Sequence, residues 1–385
     1  MITPAQRLAH IQPFHVMDLL AQARELEAKG RDIIHMEVGE PDFPTSAPVI
    51  NAGIKAIATG NIHYTPALGL PALREAIAGF YAQRYGLNIN PNRIVITPGA
   101  SGALLLALGV LLDPLKKVMM ADPGYPCNLN FVRFLGGIPQ TVNVDATTDF
   151  QLTSDRVRQN WSDETSVLML ASPSNPTGTL INHHEIKSIA GFVNQKKAGL
   201  IVDEIYHGLI YDEQAQTALS ISDDIFVINS FSKYFGMTGW RLGWMVAPEY
   251  VIKDIDKLAQ NLFLAAPTTA QYAALAAFDK DNIAILEQRR EEFKQRRDFL
   301  LPALRQLGFE IPITPQGAFY LYANCERFTD DSFAFAQKLL NEIGVAVTPG
   351  KDFGTNQPEK YLRFSYTTSM QKIEEAVQRL QKFLD

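Results

Sequence analysis

Apolar runs of four to six residues recur through the middle of the chain, and longer helical patterns separate them. Runs of this length are typical of strands that are buried on both faces of a sheet. They span Arg93–Thr97, Lys117–Ala121, Ser166–Ala171, Gly199–Val202 and Ile225–Asn229. Because helical patterns lie between them, we predict a mostly parallel sheet with helices on both sides.

Helical patterns appear both inside this region and at the two ends of the chain. Pro98–Gly102 is predicted as a turn, and the apolar stretch Ala103–Leu112 as a buried helix. Val16–Lys29 predicts an amphipathic helix that Gly30 ends. Long charged and amphipathic patterns predict two further helices, over Glu287–Leu307 and Lys372–Leu384.

The regular strand–helix alternation is absent from both ends, which indicates a second domain. Short strand-like runs cover residues 318–322, 344–347 and 361–365. We predict an α/β protein with a three-layer α/β/α large domain, whose sheet is mostly parallel, and a smaller α+β domain. The predicted large domain covers 45–285, and the small domain combines 1–44 with 286–385.

Composition narrows the class of protein. The chain has 385 residues, 46% hydrophobic and 20% charged, which is enough for about two or three domains. The net charge of −6 argues against a nucleic-acid partner. The two cysteines, Cys127 and Cys325, provide no disulfide framework and no thiol metal cluster. We see no signal peptide and no stretch that would span a membrane, and we expect a soluble cytoplasmic enzyme.

The segment N-S-F-S-K-Y-F-G-M-T-G-W-R-L-G places one lysine, Lys233, just after the strand-like run that ends at Asn229. A lysine that is buried near another cation has a lowered pKa, and its free amine can form a Schiff base with an aldehyde. Arg241 supplies such a cation eight residues later. A surface lysine in a loop explains this segment equally well when the segment is taken alone.

Polar residues follow the other apolar runs in the same way. In an open α/β sheet, ligands bind beyond the carboxyl ends of the strands, so these residues should converge. They are Gly99, Ala100, Ser101, Tyr125, Asn175, Asp203, Tyr206 and Lys233. Taken singly, most of them also fit turn, cap or core roles. Asp203 is different, because a carboxylate after a buried strand needs a partner.

Together these residues indicate a pyridoxal phosphate site. Lys233 would bond the aldehyde, and Asp203 would keep the pyridine nitrogen protonated so that the ring accepts electrons. Asn175 and Tyr206 would bond the phenolate oxygen, and Tyr125 would stack on the ring. The phosphate would bind the amides at the start of the helix, with help from two further side chains. These phosphate-binding groups are Gly99, Ala100, Ser101, Ser230 and Arg241.

The chain resembles fold-type-I pyridoxal phosphate enzymes of the class I/II aminotransferases, the aspartate aminotransferase family. The resemblance rests on S-P-S-N-P-T-G, D-E-I-Y and S-F-S-K-Y-F-G-M-T-G-W-R-L-G in this order, and it extends from V-G-E-P-D-F to Y-L-R-F-S-Y. It implies a ping-pong aminotransferase in which Lys233 forms the aldimine and moves the α-proton. Arg363 would bind the substrate α-carboxylate, assisted by Asn175 and the backbone near Gly39. Tyr64 would reach the neighbouring subunit's phosphate in a homodimer.

The substrate is less closely defined by the resemblance. Family members that prefer dicarboxylates carry a cation in the segment that corresponds to Asn261–Pro267, or a lysine where this chain has Ser101. This chain has neither, and the residues expected at the pocket entrance are mostly apolar or aromatic: Phe14, His15, Val16 and Met17. We therefore expect neutral, branched-chain or aromatic amino acids or alanine as donors. The acceptor would be 2-oxoglutarate or pyruvate.

Several alternatives remain open from sequence alone. Aspartate specificity is one, and a carbon–sulfur β-lyase, a decarboxylase or an acyltransferase on the same scaffold is another. A transcription regulator with an aminotransferase-like domain would need a preceding DNA-binding module, and an inactive scaffold would normally lose Lys233 or Asp203. The pair His183–His184 has no acidic or cysteine partner pattern, so we expect no metal site.

Overall fold

The computed structural model describes residues 2–11 and 13–385. Met1 and Gln12, which fall in the predicted small domain, lie outside the described residues. The helices are α1 (His15–Ala28), α2 (Ala47–Ala58), α3 (Pro71–Tyr85), α4 (Gly99–Leu111), α5 (Pro126–Phe134), α6 (Ser154–Asn160), α7 (His183–Gln195), α8 (Ile252–Leu262), α9 (Thr268–Leu275), α10 (Lys280–Leu307), α11 (Ser332–Lys338) and α12 (Met370–Leu384).

The strands form three sheets. They are β1 (Ile34–His35), β2 (Ile94–Thr97), β3 (Lys117–Asp122), β4 (Ile138–Asn143), β5 (Thr165–Ala171), β6 (Gly199–Asp203), β7 (Phe226–Ser230), β8 (Gly243–Val246), β9 (Tyr320–Asn324), β10 (Val345–Ala346), β11 (Thr348–Pro349) and β12 (Tyr361–Ser365). The large sheet has the order β2-β8-β7-β6-β5-β3-β4. Its neighbours pair in parallel except around β8, which is antiparallel to both β2 and β7.

The large sheet is buried on both faces, as the continuous apolar runs predicted. Along β7, Val227 belongs to the core on one side of the sheet, whereas Phe226 and Ile228 belong to the core on the other side. Residues of α3, α7 and α9 complete the first core, and residues of α4 and α8 complete the second. The predicted three-layer α/β/α arrangement with a mostly parallel sheet is therefore confirmed.

Some predicted boundaries differ from the structure. The prediction of a turn over Pro98–Gly102 was wrong, because α4 already begins at Gly99. The first residues of a helix donate no intrahelical hydrogen bond, so glycines that suggest a turn are tolerated there. Two strands of the large sheet were not predicted. Strand β4 lies at the sheet edge and is largely exposed, and β8 follows directly on the glycine-rich segment around Lys233.

Two small sheets lie outside the large sheet, and the first of them joins the two ends of the chain. In the first, β1 pairs in parallel with β10, so that Ile34 faces Val345. The second has the order β11-β12-β9 and is antiparallel. Helix α10 runs continuously through the predicted boundary at 285/286, so the domain limits stay a prediction. Within the described residues, none of the helices is both long enough and apolar enough to cross a bilayer.

Candidate active site

The carboxyl ends of β5, β6 and β7 open into a cavity of about 260 Å³. Ala171, Asp203 and Ser230, the last residues of these strands, all line it. So do the following residues that the sequence singled out: Phe14, Gly39, Ala100, Ser101, Tyr125, Asn175, Tyr206, Lys233, Arg241 and Arg363. The convergence expected at this edge of the sheet therefore occurs.

Lys233 projects into the cavity from the loop after β7. Its Nζ donates a hydrogen bond to the carbonyl oxygen of Gly39 at 2.6 Å, and it lies 5.7 Å from the centre of the Tyr206 ring. Burial, and next the positive charge of Arg363, lower the pKa of this amine to about 8. A substantial fraction of the amine is therefore neutral near pH 8, as a nucleophile requires.

Asp203 ends β6 and is only 7% exposed. Its Oδ1 accepts a hydrogen bond from the amide of Ile205 at 3.1 Å. Burial raises the pKa of this carboxyl group to about 7, although the amide of Ile205 and the charge of Lys233 act in the opposite direction. A buried carboxylate of this kind would gain most from a cationic N–H group in the cavity.

Arg363 lies on β12 and is buried, with 3% exposure. Its Nη1 donates to Asn175 Oδ1 at 2.9 Å, and its Nη2 donates to Thr348 Oγ1 at 3.2 Å and to the carbonyl oxygen of Glu37. Its Nε has no hydrogen-bond partner among the described residues. The guanidinium is thus fixed in orientation by neutral acceptors and keeps its charge available to an anion in the cavity.

The opposite end of the cavity combines helix amides with a second cation. Gly99 opens α4 with φ +72°, and a Cβ atom there would lie 2.5 Å from Arg241 Nη2, so glycine allows this arginine to approach the helix terminus. Arg241 Nη1 donates to the carbonyl oxygen of Thr238 at 3.0 Å. Ser230 Oγ accepts from the amide of Ser232 at 3.0 Å. This end of the cavity is suited to a phosphate group.

Aromatic and apolar residues form the entrance. The rings of Phe14 and Tyr125 meet edge to face with centroids 6.4 Å apart. Val16 and Met17, from the first turn of α1, also line the cavity. His15, which was expected here, is not part of the lining; its ring packs against Phe333 instead. The start of α1 is held by Asp352, whose carboxylate accepts the amides of His15 and Val16.

Two further predicted site residues are absent from the cavity lining: Gly99, which lies behind it at the start of α4, and Tyr64. The side chain of Tyr64 is 84% exposed in the loop before α3. Conversely, the cavity includes residues that the sequence reasoning missed, notably Ser232, Thr238 and Tyr320. Ser232 and Thr238 could have been found as polar neighbours of Lys233. Tyr320 lies inside an apolar run and resembles an ordinary core aromatic.

These residues fit pyridoxal phosphate. The cavity offers an amine with a lowered pKa, a buried carboxylate that accepts a hydrogen bond from one backbone amide, and a helix terminus with an arginine beside it. These groups match the aldehyde, the pyridine nitrogen and the phosphate of that cofactor, respectively. The fold and the site together define a fold-type-I pyridoxal phosphate-dependent enzyme.

Comparison with known proteins identifies the family. The family model for aminotransferase class I and II matches residues 31–380. The chain is 39% identical over 384 residues to the (5-formylfuran-3-yl)methyl phosphate transaminase of Methanocaldococcus jannaschii, and the match covers 99% of both proteins. It is 38% identical to the valine–pyruvate aminotransferase of Mycobacterium tuberculosis, over 98% of this chain and 97% of that protein.

A solved structure agrees with this result. The crystal structure of an aminotransferase from Mycobacterium tuberculosis superimposes with a TM-score of 0.97 at 37% identity, covering 100% of this chain and 99% of that one. The chain belongs to the class I and II aminotransferases, whose members depend on pyridoxal phosphate. The predicted family, enzyme class and cofactor are confirmed.

Proposed function

We propose that the protein transfers the amino group of a neutral L-amino acid to a 2-oxo acid, such as 2-oxoglutarate or pyruvate, in two successive half-reactions of ping-pong type. The observation that carries this proposal is the convergence of Lys233, Asp203 and Arg363 in one cavity. An amine, a buried carboxylate and a fixed guanidinium are the three charged groups that amino-acid chemistry on this cofactor requires.

The cofactor would be held by residues from the strand ends. Lys233 would bind its aldehyde carbon, and Asp203 would hold a proton on the pyridine nitrogen. Asn175 and Tyr206 would bond the phenolate oxygen, and Tyr125 would cover the ring face. The phosphate would be bound by the amides of Gly99, Ala100 and Ser101 together with Ser230 and Arg241. When bound, pyridoxal phosphate supplies a ring that accepts the electron pair of the substrate's α-C–H bond.

Lys233 would then act as the base. After the substrate amine has replaced it, its own amine is free to take the α-proton and to deliver a proton to the C4′ atom of the cofactor. The pKa of about 8 supports this role, because a base works best when its pKa lies near the operating pH. Burial is the main cause of the lowered pKa. The nearby positive charge of Arg363 also helps to keep the amine neutral.

Arg363 would bind the α-carboxylate that all amino acids share, so selection between them would depend on the remaining lining. The described lining contains three cations, Lys233, Arg241 and Arg363, and each has a role above. A distal substrate carboxylate would therefore lack a partner within this chain, and Glu40 at the rim would repel it. The valine–pyruvate specificity named for the Mycobacterium tuberculosis relative also supports a neutral substrate.

A homodimer is part of this proposal. Helix α2 exposes Ile50, Ile54 and Ile57 on one face, at helical spacing, and the nearby Tyr64 is exposed as well. A second copy that covers this face would bury the isoleucines and bring Tyr64 to the neighbouring phosphate. Sedimentation equilibrium should then give twice the monomer mass of 42.8 kDa.

Half-reaction spectroscopy of the purified holoenzyme with a panel of amino acids tests the proposal. We expect alanine, branched-chain or aromatic amino acids to convert the bound cofactor to its pyridoxamine form faster than aspartate does, and Lys233→Ala to abolish the conversion. A clear preference for aspartate would contradict the proposed substrate class. Release of ammonia and pyruvate from cystathionine, without the pyridoxamine form, would instead identify a carbon–sulfur β-lyase.

A further inference from the structure

Tyr320 is a buried residue, 1% exposed, that contacts functional groups from three separate segments of the chain. Its hydroxyl lies 2.9 Å from the hydroxyl of Tyr206. Its ring centre lies 4.3 Å from Cζ of Arg363. A Cβ atom on Gly39 would lie 2.0 Å from the Tyr320 hydroxyl oxygen, so the backbone at Gly39 passes directly over this side chain.

The strand pairing explains these contacts. In the antiparallel pair of β9 and β12, Tyr322 is directly opposite Arg363, and Tyr320 is two residues away on the same face. A diagonal neighbour in such a pair is within reach of a long side chain. The guanidinium of Arg363 therefore lies near the face of Tyr320, with Phe353 as a second ring at 4.9 Å. This geometry favours a cation–π interaction.

We propose that Tyr320 is a positioning residue that acts through two others: its hydroxyl orients the hydroxyl of Tyr206 towards the cofactor, and its ring holds the guanidinium of Arg363 towards the substrate. This inference rests on the proposed roles of Tyr206 and Arg363. One side chain would thus connect the part of the pocket that binds the cofactor with the part that binds the substrate carboxylate.

The hydroxyl pair has a defined consequence. If Tyr320 donates to the oxygen of Tyr206, the proton of Tyr206 is directed into the cavity and its hydroxyl becomes a stronger donor to the phenolate oxygen of the cofactor. Loss of that donor leaves more negative charge on the phenolate, which stabilises a proton on the neighbouring nitrogen. The pH midpoint of the bound cofactor's visible absorbance should therefore rise when the Tyr320 hydroxyl is removed.

Two variants separate the hydroxyl from the ring. Tyr320→Phe removes the hydroxyl only, and it should raise the absorbance midpoint by about 0.4 to 1 pH unit, the effect of one hydrogen bond. It should leave the half-saturation concentration for the best amino acid of the panel nearly unchanged. Tyr320→Leu also removes the ring, and it should raise that half-saturation concentration about 2- to 30-fold, as expected for a lost cation–π contact.

Tyr322→Phe is the matched control, because it removes a hydroxyl from the next buried tyrosine on the same face of β9, whose ring stacks on Tyr361 at 4.5 Å. It should change neither the pH midpoint of the absorbance nor the half-saturation concentration of the amino acid. If Tyr320→Phe gives the same midpoint as Tyr322→Phe, or if Tyr320→Leu binds the amino acid as the wild type does, the corresponding half of the inference is wrong.

Two reference variants separate this inference from the proposed function. Tyr206→Phe should raise the absorbance midpoint more than Tyr320→Phe does, and Arg363→Lys should weaken amino-acid binding more than Tyr320→Leu does. If both reference variants behave as the wild type, the roles proposed for Tyr206 and Arg363 fail. If they respond and the Tyr320 variants do not, only the inference about Tyr320 fails.

Discussion

The two halves of the pocket are built in different ways. The cofactor half, which we define as Gly99–Ser101, Asp203, Ser230, Lys233 and Arg241, comes from the ends of the large sheet and the loops and helix that follow them. The substrate half, defined as Phe14, Gly39, Tyr320 and Arg363, comes from two parts of the chain that are more than 280 residues apart. In the proposed function, one edge of the sheet would thus provide the chemistry, and the recognition of substrate would depend on long-range packing.

The two halves also differ in their electrostatics. In the cofactor half, burial raises the pKa of Asp203 to about 7 and lowers that of Lys233 to about 8, so both groups can change protonation state near neutral pH. In the substrate half, the guanidinium of Arg363 lies between neutral acceptors and aromatic rings. In the proposed function, proton transfer would therefore belong to the first half, and anchoring of the substrate carboxylate would belong to the second.

The largest expected effect follows from removing the base in the cofactor half. Lys233→Ala should slow the half-reaction with the best amino acid roughly 10³- to 10⁴-fold, the upper range for loss of a general base. Rapid-mixing absorbance measurements on cofactor-loaded protein give the rate. The control is Lys257→Ala, since Lys257 is exposed and, among the described residues, forms an ion pair with Asp254 alone. A Lys233→Ala rate within tenfold of the wild type would show that another group moves the proton.

A smaller effect is expected in the substrate half, and mainly on binding. Arg363→Lys keeps the positive charge but loses the planar guanidinium that can donate two parallel hydrogen bonds. The half-saturation concentration of the amino acid should therefore rise about 10- to 150-fold, which is the equivalent of one charge-assisted hydrogen bond. The limiting rate should change much less, because Lys233 and Asp203 are untouched. Exposed Arg24 on α1 provides the control variant Arg24→Lys. An equal loss in limiting rate would mean that the two halves are not separable.

The same contrast explains how much the sequence could predict. The residues of the cofactor half could be singled out in the sequence, because they follow apolar runs and the sheet brings the ends of those runs to one cavity, whereas their roles stay a prediction. The bounds of β2, β3, β5, β6 and β7 were predicted within one or two residues, whereas β8, although buried, was missed beside the glycine-rich segment around Lys233. The exposed edge strand β4 was missed, because an edge strand does not need a continuous apolar run.

The substrate half was harder to predict from residues alone. Arg363 lies in an alternating strand, where an exposed arginine is common, and only the family resemblance marked it. Tyr320 was missed because it appears as one more aromatic in an apolar run. Its role depends on the register between β9 and β12 and on the passage of Gly39 over its hydroxyl, and neither is visible in the local sequence. Long-range packing determines both features.

The smallest expected effect comes from adding a positive charge to the cofactor half. Ser101→Lys adds a cation to the start of α4, where the lining of the described chain offers a distal carboxylate no partner. The ratio of kcat/KM for aspartate to that for the best neutral amino acid should rise about 3- to 10-fold, because a partly solvated ion pair contributes only modestly. Steady-state kinetics with both donors measure this ratio, and Ser101→Gln, which is similar in length but neutral, is the control. If Ser101→Gln shifts the ratio as much as Ser101→Lys does, the shape of the pocket and not its charge excludes dicarboxylates.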